Sequence, residues 1–275
     1  MSTDTARSTT AIKRHEATFG TTAIETARRT LLQFFRNPQV LMQSTVQGPI
    51  FLLMFRYVFG GAISTGGRVN YANFLVPGFL VTVILWTGMS AAAGIAEDSD
   101  NGFYDRLRSL PIPRTAVILG RAIADTMLIG WGLFVTGIVG FLVGFRINGT
   151  FVEFLIAIGL ILFGGFCWSW VFITMGLVAG NAQGAQGMSM LLIPFSFISS
   201  ANVPVSSMPG WLQPFAANQP ISVMINAVRS LTQGGTQQIG LDHSTGYWVA
   251  LSFMWCVVII ATFATLAVRR FSRQQ

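Results

Sequence analysis

EDSDNGFYDRLRSLPIPRTAVILGR, residues 97–121, carries eight of the chain's 17 basic and 10 acidic side chains and lies between two long apolar runs. Charge that dense amid membrane-like sequence marks a connection that can be handled from one side of a bilayer. The surrounding composition agrees: 52% of residues are apolar, 10% are charged and the mean hydropathy is +0.59. A soluble domain has about 45–50% and about 25% of these classes.

A membrane span needs about 20 mostly apolar residues. Six segments qualify, at 40–60, 74–96, 116–145, 151–179, 188–205 and 247–268. Lys and Arg are retained on the cytoplasmic side. Arg7, Lys13, Arg14, Arg28, Arg29 and Arg36 precede the first span, Arg106, Arg108, Arg114 and Arg121 separate the second from the third, and Arg269, Arg270 and Arg273 follow the last. Arg68, Arg146 and Arg229 fall on the other side and Arg56 within the first span, so both termini are expected in the cytoplasm.

A net charge of +7 does not point to nucleic acid, because the basic residues are spread along membrane flanks rather than clustered with aromatics. Attraction to anionic lipid headgroups accounts for it. No cleavable signal peptide is expected, since the polar start leads into an apolar run too long for a signal core. Cys167 and Cys256 fall in apolar spans and the two histidines, His15 and His243, outside them. Neither a disulfide framework nor a metal or histidine-based catalytic centre is expected.

Residues 1–21 read as a disordered cytoplasmic tail. Over 22–37 a helical period follows: Ile24, Ala27, Leu31, Phe34 and Phe35 share one face, with Glu25, Arg29, Gln33 and Arg36 on the other. This helix either lies in the membrane interface, its apolar face among acyl chains, or packs as a soluble helix on a partner. The six-span domain is expected over 38–270, with a short cytoplasmic tail over 271–275. Gln43, Gln47, the Gly48–Pro49 pair and Arg56 make the first span unusual, because polar groups in hydrocarbon must be satisfied. With Trp86, the side chains Gln43, Gln47 and Arg56 are candidates for a transport path or dimer interface; bonding to neighbouring helices within one subunit is the alternative.

Asp125 sits one helical turn beyond Arg121, where an ion pair is expected rather than a proton relay, and Glu153 has the same reading. Asn148-Gly149-Thr150 matches a glycosylation acceptor, a frequent chance triplet. Residues 180–187 read as a tight turn between antiparallel helices. From 199 to 235, Pro204, Pro209, Pro214 and Pro220 divide the chain into short pieces. These are read as two re-entrant helices over about 205–234, the first anchored by Met208, Trp211, Leu212 and Phe215 and the second carrying the stripe Ile221, Met224, Ile225, Val228 and Leu231.

In the opening stretch, Ser99 or Asp100 can cap a short helix over about 99–111, with Phe103, Leu107 and Leu110 on one face and Asp105, Arg106 and Arg108 on others, until Pro111 and Pro113 stop it. Such a helix can dock in a groove of a soluble partner; a loop that only orients two spans is the alternative. At this point the chain resembles the membrane subunits of type-2 ABC exporters, the daunorubicin-resistance-like permeases of bacteria. The resemblance runs from about residue 24 to 270. It rests on Phe55-Arg56-Tyr57-Val58-Phe59-Gly60-Gly61, Tyr71 with Phe74 and Pro77-Gly78, and Asp98 followed by the run from Gly102 to Pro111. Gly120-Arg121, Asp125, Gly144-Phe145-Arg146, Met208-Pro209-Gly210-Trp211-Leu212, Asn218-Gln219-Pro220 and Arg229 continue it. Asn202 departs from the pattern, which carries an apolar aromatic there.

The resemblance implies an all-α permease of six spans that pairs with a second permease copy, as a homodimer or with a paralogue, and works with separate cytoplasmic ATPase subunits that hold ATP and Mg. Asp98, Gly102, Phe103, Asp105, Arg106, Leu107, Arg108, Leu110 and Pro111 would form the coupling helix region. Ile24, Arg28, Arg29, Leu31, Phe34 and Phe35 would lie on the connecting helix, and Pro209, Trp211 and Phe215 in the re-entrant segment. Lys13 is the only lysine and no G-x-x-x-x-G-K-[ST] cradle exists, so this chain binds no ATP by that motif. The expected activity is export of hydrophobic or amphipathic compounds, drugs or lipids, from a bacterial plasma membrane. Lipid-linked polysaccharide export is the alternative, and an ion-driven secondary transporter or a membrane enzyme ranks below both.

Overall fold

The computed structural model describes residues 18–60, 70–108 and 112–273, and among them it contains helices and no strand. The first two helices, α1 (Phe19–Arg36) and α2 (Pro38–Met54), meet at an elbow of one residue. Asn37 makes that elbow: a residue before proline is pushed out of the helical region, and its Oδ1 accepts from the amides of Gln39 and Val40 to start the next helix. Pro38 stands at the first position of α2, where its missing N–H is no loss. Pro49 is carried inside α2, which then runs into a π-turn, Phe55–Phe59.

Among the described residues, four helices are long and apolar enough to cross a membrane: α3 (Tyr71–Asp100), α5 (Arg114–Leu142), α6 (Phe151–Ala179) and α11 (Thr245–Arg273). They coincide with four of the expected spans. The expected first span is α2 with its π-turn. The expected fifth is cut into α7 (Ala182–Met190) and α8 (Ile193–Phe197), because Pro194 has no N–H to continue the ladder and opens a new helix instead. The turn expected over 180–187 is confined to Gly180, in the left-handed region, and Asn181, whose Oδ1 caps the next helix through the Gly184 amide. Residues 182–187 are already helical.

Close backbone approach at small residues holds the bundle together, as it does in membrane proteins generally. α6 is its hub, packed against α3, α5, α10 (Pro220–Thr232) and α11. A side chain on Gly176 would run into the Ala92 carbonyl, and one on Gly88 into the Phe172 ring. The second expected re-entrant helix, α10, was read with a single apolar stripe; every residue from 221 to 232 is instead buried. Its hydroxyls can afford this because Ser230 and Thr232 donate back to carbonyls of their own helix. The first expected re-entrant piece falls on α9 (Gln213–Asn218), preceded by a 3-10 turn. There Trp211 is 80% and Phe215 46% exposed.

Glu153 corrects its expected ion pair. It accepts from the Thr150 amide while Thr150 Oγ1 accepts from the Glu153 amide, a capping box that starts α6. Asn148 in the same triplet donates to Gln233 Oε1 at 3.0 Å. Asn202 is buried with its Oδ1 unpartnered, and an aromatic residue there would strand no acceptor.

α1 lies across α5 with Thr22, Ala23, Ala27, Thr30 and Phe34 buried. The expected apolar stripe therefore divides: Ala27 and Phe34 face protein, while Ile24 and Phe35 stay 65% and 52% exposed. At the crossing, a side chain on Gly120 would overlap the Ala23 carbonyl. Gly120→Val should separate the two helices at a cost of about 1–3 kcal/mol. Thermal unfolding in detergent checks this, and Gly20→Ala, a helical position with open space around it, should not lower the midpoint.

Candidate functional site

Two charges of 97–121, Asp98 and Arg121, join Arg29 and Asp125 in one cluster at an end of the bundle. Asp98, on the last turn of α3, receives Arg29 from α1 through two hydrogen bonds, Nη2 to Oδ1 at 2.9 Å and Nη1 to Oδ2 at 3.3 Å. Arg121 of α5 reaches the same carboxylate, Nη1 to Oδ2 at 3.2 Å. Its Nε donates to Asp125 at 3.1 and 3.3 Å, and its Nη2 to the Ala91 carbonyl at 3.2 Å. Arg121 and Asp125 are almost fully buried, which charged groups tolerate only when paired and hydrogen-bonded. Three helices, α1, α3 and α5, are thus tied by four charges of alternating sign.

The short helix α4 (Phe103–Arg108) hangs from this cluster. Gly102, with φ +66°, makes the left-handed turn that ends α3 and sends the chain into α4. Arg29 lies over the Phe103 ring, 3.6 Å from its centroid. Tyr104 is buried edge-on to Phe271 of α11, with ring centroids 5.4 Å apart. Burial, more than any neighbouring charge, pushes its hydroxyl up to about 12, so it stays neutral at physiological pH.

The expected docking stripe is therefore turned inward. Phe103 and Leu107 pack with Tyr104 on the core shared by α5, α6 and α11. An apolar stripe this close to a hydrophobic core is buried by its own chain first. Among the described side chains of α4, Arg106 is exposed; it donates to the Asn101 and Gly102 carbonyls. Asp105 and Arg108 fall within α4, while Leu110 and Pro111 lie outside the described residues. On the connecting helix, Arg28 pairs with Glu25 at 3.6 Å on the surface, an interaction worth little. Leu31 is half-buried, and Phe35 sits edge-on to Trp131 of α5.

Beside the charge cluster opens a cavity of about 990 Å³ between α1, α2, α3 and α5. Its charged wall holds Arg28, Arg29, Arg36, Arg121, Glu25, Glu97 and Asp98, and its deeper wall Gln43, Ser44, Thr87 and Ser90. Ser44, Thr87 and Ser90 also line a small cleft with Gln47 and Trp86. Three of the four candidate path residues thus follow one polar track into the bundle. Trp86 closes it, its ring 4.7 Å from Phe51 and 5.8 Å from Phe79. Arg56 is not on this track; it lies in the π-turn at the other end of α2.

Two elements of the arrangement had little signal in the sequence. Arg29–Asp98 joins residues 69 positions apart, beyond any local period. Arg229, read in the sequence as an outer-side cation with no partner in view, is buried and donates to the Phe74 carbonyl at 3.1 and 2.9 Å and to the Ser200 carbonyl at 2.8 Å. It also lies over the Phe74 ring at 3.8 Å.

Four long apolar helices, an amphipathic helix laid across one of them and a charged cluster at one end define a multi-pass α-helical membrane protein. The family model described as "ABC-2 type transporter" matches residues 24–232. The chain belongs to that family. It is 31% identical over 243 residues to the daunorubicin resistance ABC transporter permease protein DrrB1 of Streptomyces coeruleorubidus, covering 88% of this chain and 82% of that one. The probable doxorubicin resistance ABC transporter permease protein DrrC of Mycobacterium tuberculosis (strain ATCC 25618 / H37Rv) is 24% identical over 210 residues, 75% of each chain. The putative transport permease ycf38 of Porphyra purpurea is 28% identical over 214 residues, 74% of this chain and 70% of that one.

Removing one member of a buried ion pair costs about 3–5 kcal/mol, while removing both can be nearly neutral. Arg121→Met should therefore lower the unfolding midpoint sharply, and Arg121→Met with Asp125→Leu should recover much of the loss. A double mutant as unstable as the single one would mean that the Asp98 and Ala91 bonds, not the pair, carry the stability.

Proposed function

We propose that this chain is the membrane-spanning subunit of an ATP-driven ABC exporter for hydrophobic or amphipathic compounds, with ATP and Mg held by a separate cytoplasmic ATPase. The observation that carries the reading is the charge cluster joining α1, α3 and α5, with α4 at its edge and a polar cavity beside it. In this reading the charged end and both termini face the cytoplasm. α2 with its π-turn and the α7–α8 segment are the two further membrane segments, for six in all, and a second permease copy completes the pathway.

The ATPase would meet the polar face of α4 and the neighbouring surface of α1, since the apolar face of α4 is occupied. A displacement of α4 is passed on through Gly102 to Asp98, and from there to Arg29 and Arg121 at once. A two-state membrane bundle biased in this way can alternate its open side. Cargo would enter from the inner leaflet or cytoplasm through the cavity and pass Gln43, Ser44 and Thr87 toward Trp86. The drug-resistance names of two relatives support an amphipathic cargo of the anthracycline kind.

Arg106→Glu, at an exposed position, should reduce co-purification of the ATPase about tenfold, equivalent to about 1.4 kcal/mol, while the unfolding midpoint holds. Normal association would move the docking surface away from α4. Ser90→Phe should instead narrow the cavity where it meets the small cleft. Anthracycline uptake into inverted membrane vesicles should fall by about tenfold or more with ATPase association unchanged; wild-type uptake would take this cavity off the path.

A further inference from the structure

α2 ends in a cation that the charge cluster does not explain. From Pro38 to Phe59, at about 1.5 Å per residue, the helix and its π-turn rise about 30 Å, which is the thickness of the bilayer's hydrocarbon core. Arg56 therefore stands at headgroup level on the side opposite Arg29 and Asp98. Its Nε is buried and has no hydrogen-bond partner. Tyr71, at the start of α3 and only 6% exposed, also has a buried hydroxyl with no partner. Phe55, the residue before Arg56 in the π-turn, packs on the same apolar cluster as Tyr71, which brings the start of α3 against the turn.

Two unpartnered donors, one of them cationic, call for an anionic acceptor, and the fork of an arginine suits a phosphate. The segment that carries them is a π-turn, a rare form that is frequent at functional sites. Leading up to it on α2, Ile50, Leu53, Met54 and Tyr57 are exposed at the i, i+3, i+4, i+7 spacing of one helix face. An acyl chain can lie along that stripe with its headgroup at Arg56.

We propose that Arg56 and Tyr71 form a binding site for the phosphodiester of a membrane phospholipid, its acyl chain lying on the α2 stripe. Native mass spectrometry of the full chain, released from micelles doped with dioleoylphosphatidylglycerol, tests it. One lipid should stay bound to the wild type, about tenfold less to Arg56→Gln, and a reduced amount to Tyr71→Phe. Arg36→Gln, at the other end of α2, should retain it fully. Monogalactosyl diacylglycerol, which has no phosphate, should not be retained, and excess inorganic phosphate should not displace the phospholipid. Equal retention of the galactolipid, or by an Arg56→Gln variant with a wild-type melting temperature, overturns the site. Displacement by inorganic phosphate overturns its assignment to a lipid. Should Arg56→Gln not fold, Tyr71→Phe decides, and unchanged retention there overturns the two-donor site.

Discussion

Arg121 has to be paired, and most of one end of this protein is built around that requirement. A guanidinium inside a helical bundle forfeits its hydration, and only well-placed acceptors make the position tolerable. Asp125, one turn along α5, supplies one partner at 3.1 Å, and Asp98, at the end of α3, supplies another at 3.2 Å. Asp98 cannot serve Arg121 alone, since its second oxygen faces Arg29 of α1 at 2.9 Å. The path of α1 across α5, the length of α3 and the placement of Gly102 all follow from keeping these four charges within reach.

The opposite end solves a similar problem with neutral groups. Arg229 is buried without a carboxylate among the described residues, and carbonyls of Phe74 and Ser200 take its protons. Around it the connection between α5 and α6 is stapled by the Arg146 amide on Asn73 and by Gln233 on the Arg146 carbonyl. A guanidinium satisfied by backbone ties helices through acceptors that move only with the main chain. An ion-pair chain has alternatives: a nearby charge can compete for any link. The end with exchangeable bonds is also the one beside the large cavity.

Which features could be read from the chain follows from the range of the interactions involved. α6 begins and ends where its apolar run does, and α3, α5 and α11 differ from their expected spans by a few residues, because continuous apolarity is a local property. Pro49 and Pro194 look alike in sequence yet act differently. Pro49 is absorbed within α2, where the neighbouring Gly48 packs closely on Thr136, whereas Pro194 opens a new helix. That difference is decided by packing. In the site, Arg121–Asp125 was legible at a spacing of four, while Arg29–Asp98 and the clamp of Arg229 on α3 depend on the finished topology.

The orientation of α4 shows how packing decides where a face that is legible in the sequence points. Phe103 and Leu107 do form an apolar face, but a helix of six residues has little stability of its own and must be held by what it packs on. Phe271 and the core of α5 and α6 lie within its reach, tethered to the same chain, so they take that face at a far higher effective concentration than any soluble partner could offer. Tyr104, which the stripe omitted, is the deepest of the three. Among the described side chains of α4, the one that faces outward is Arg106, a charge rather than an apolar group.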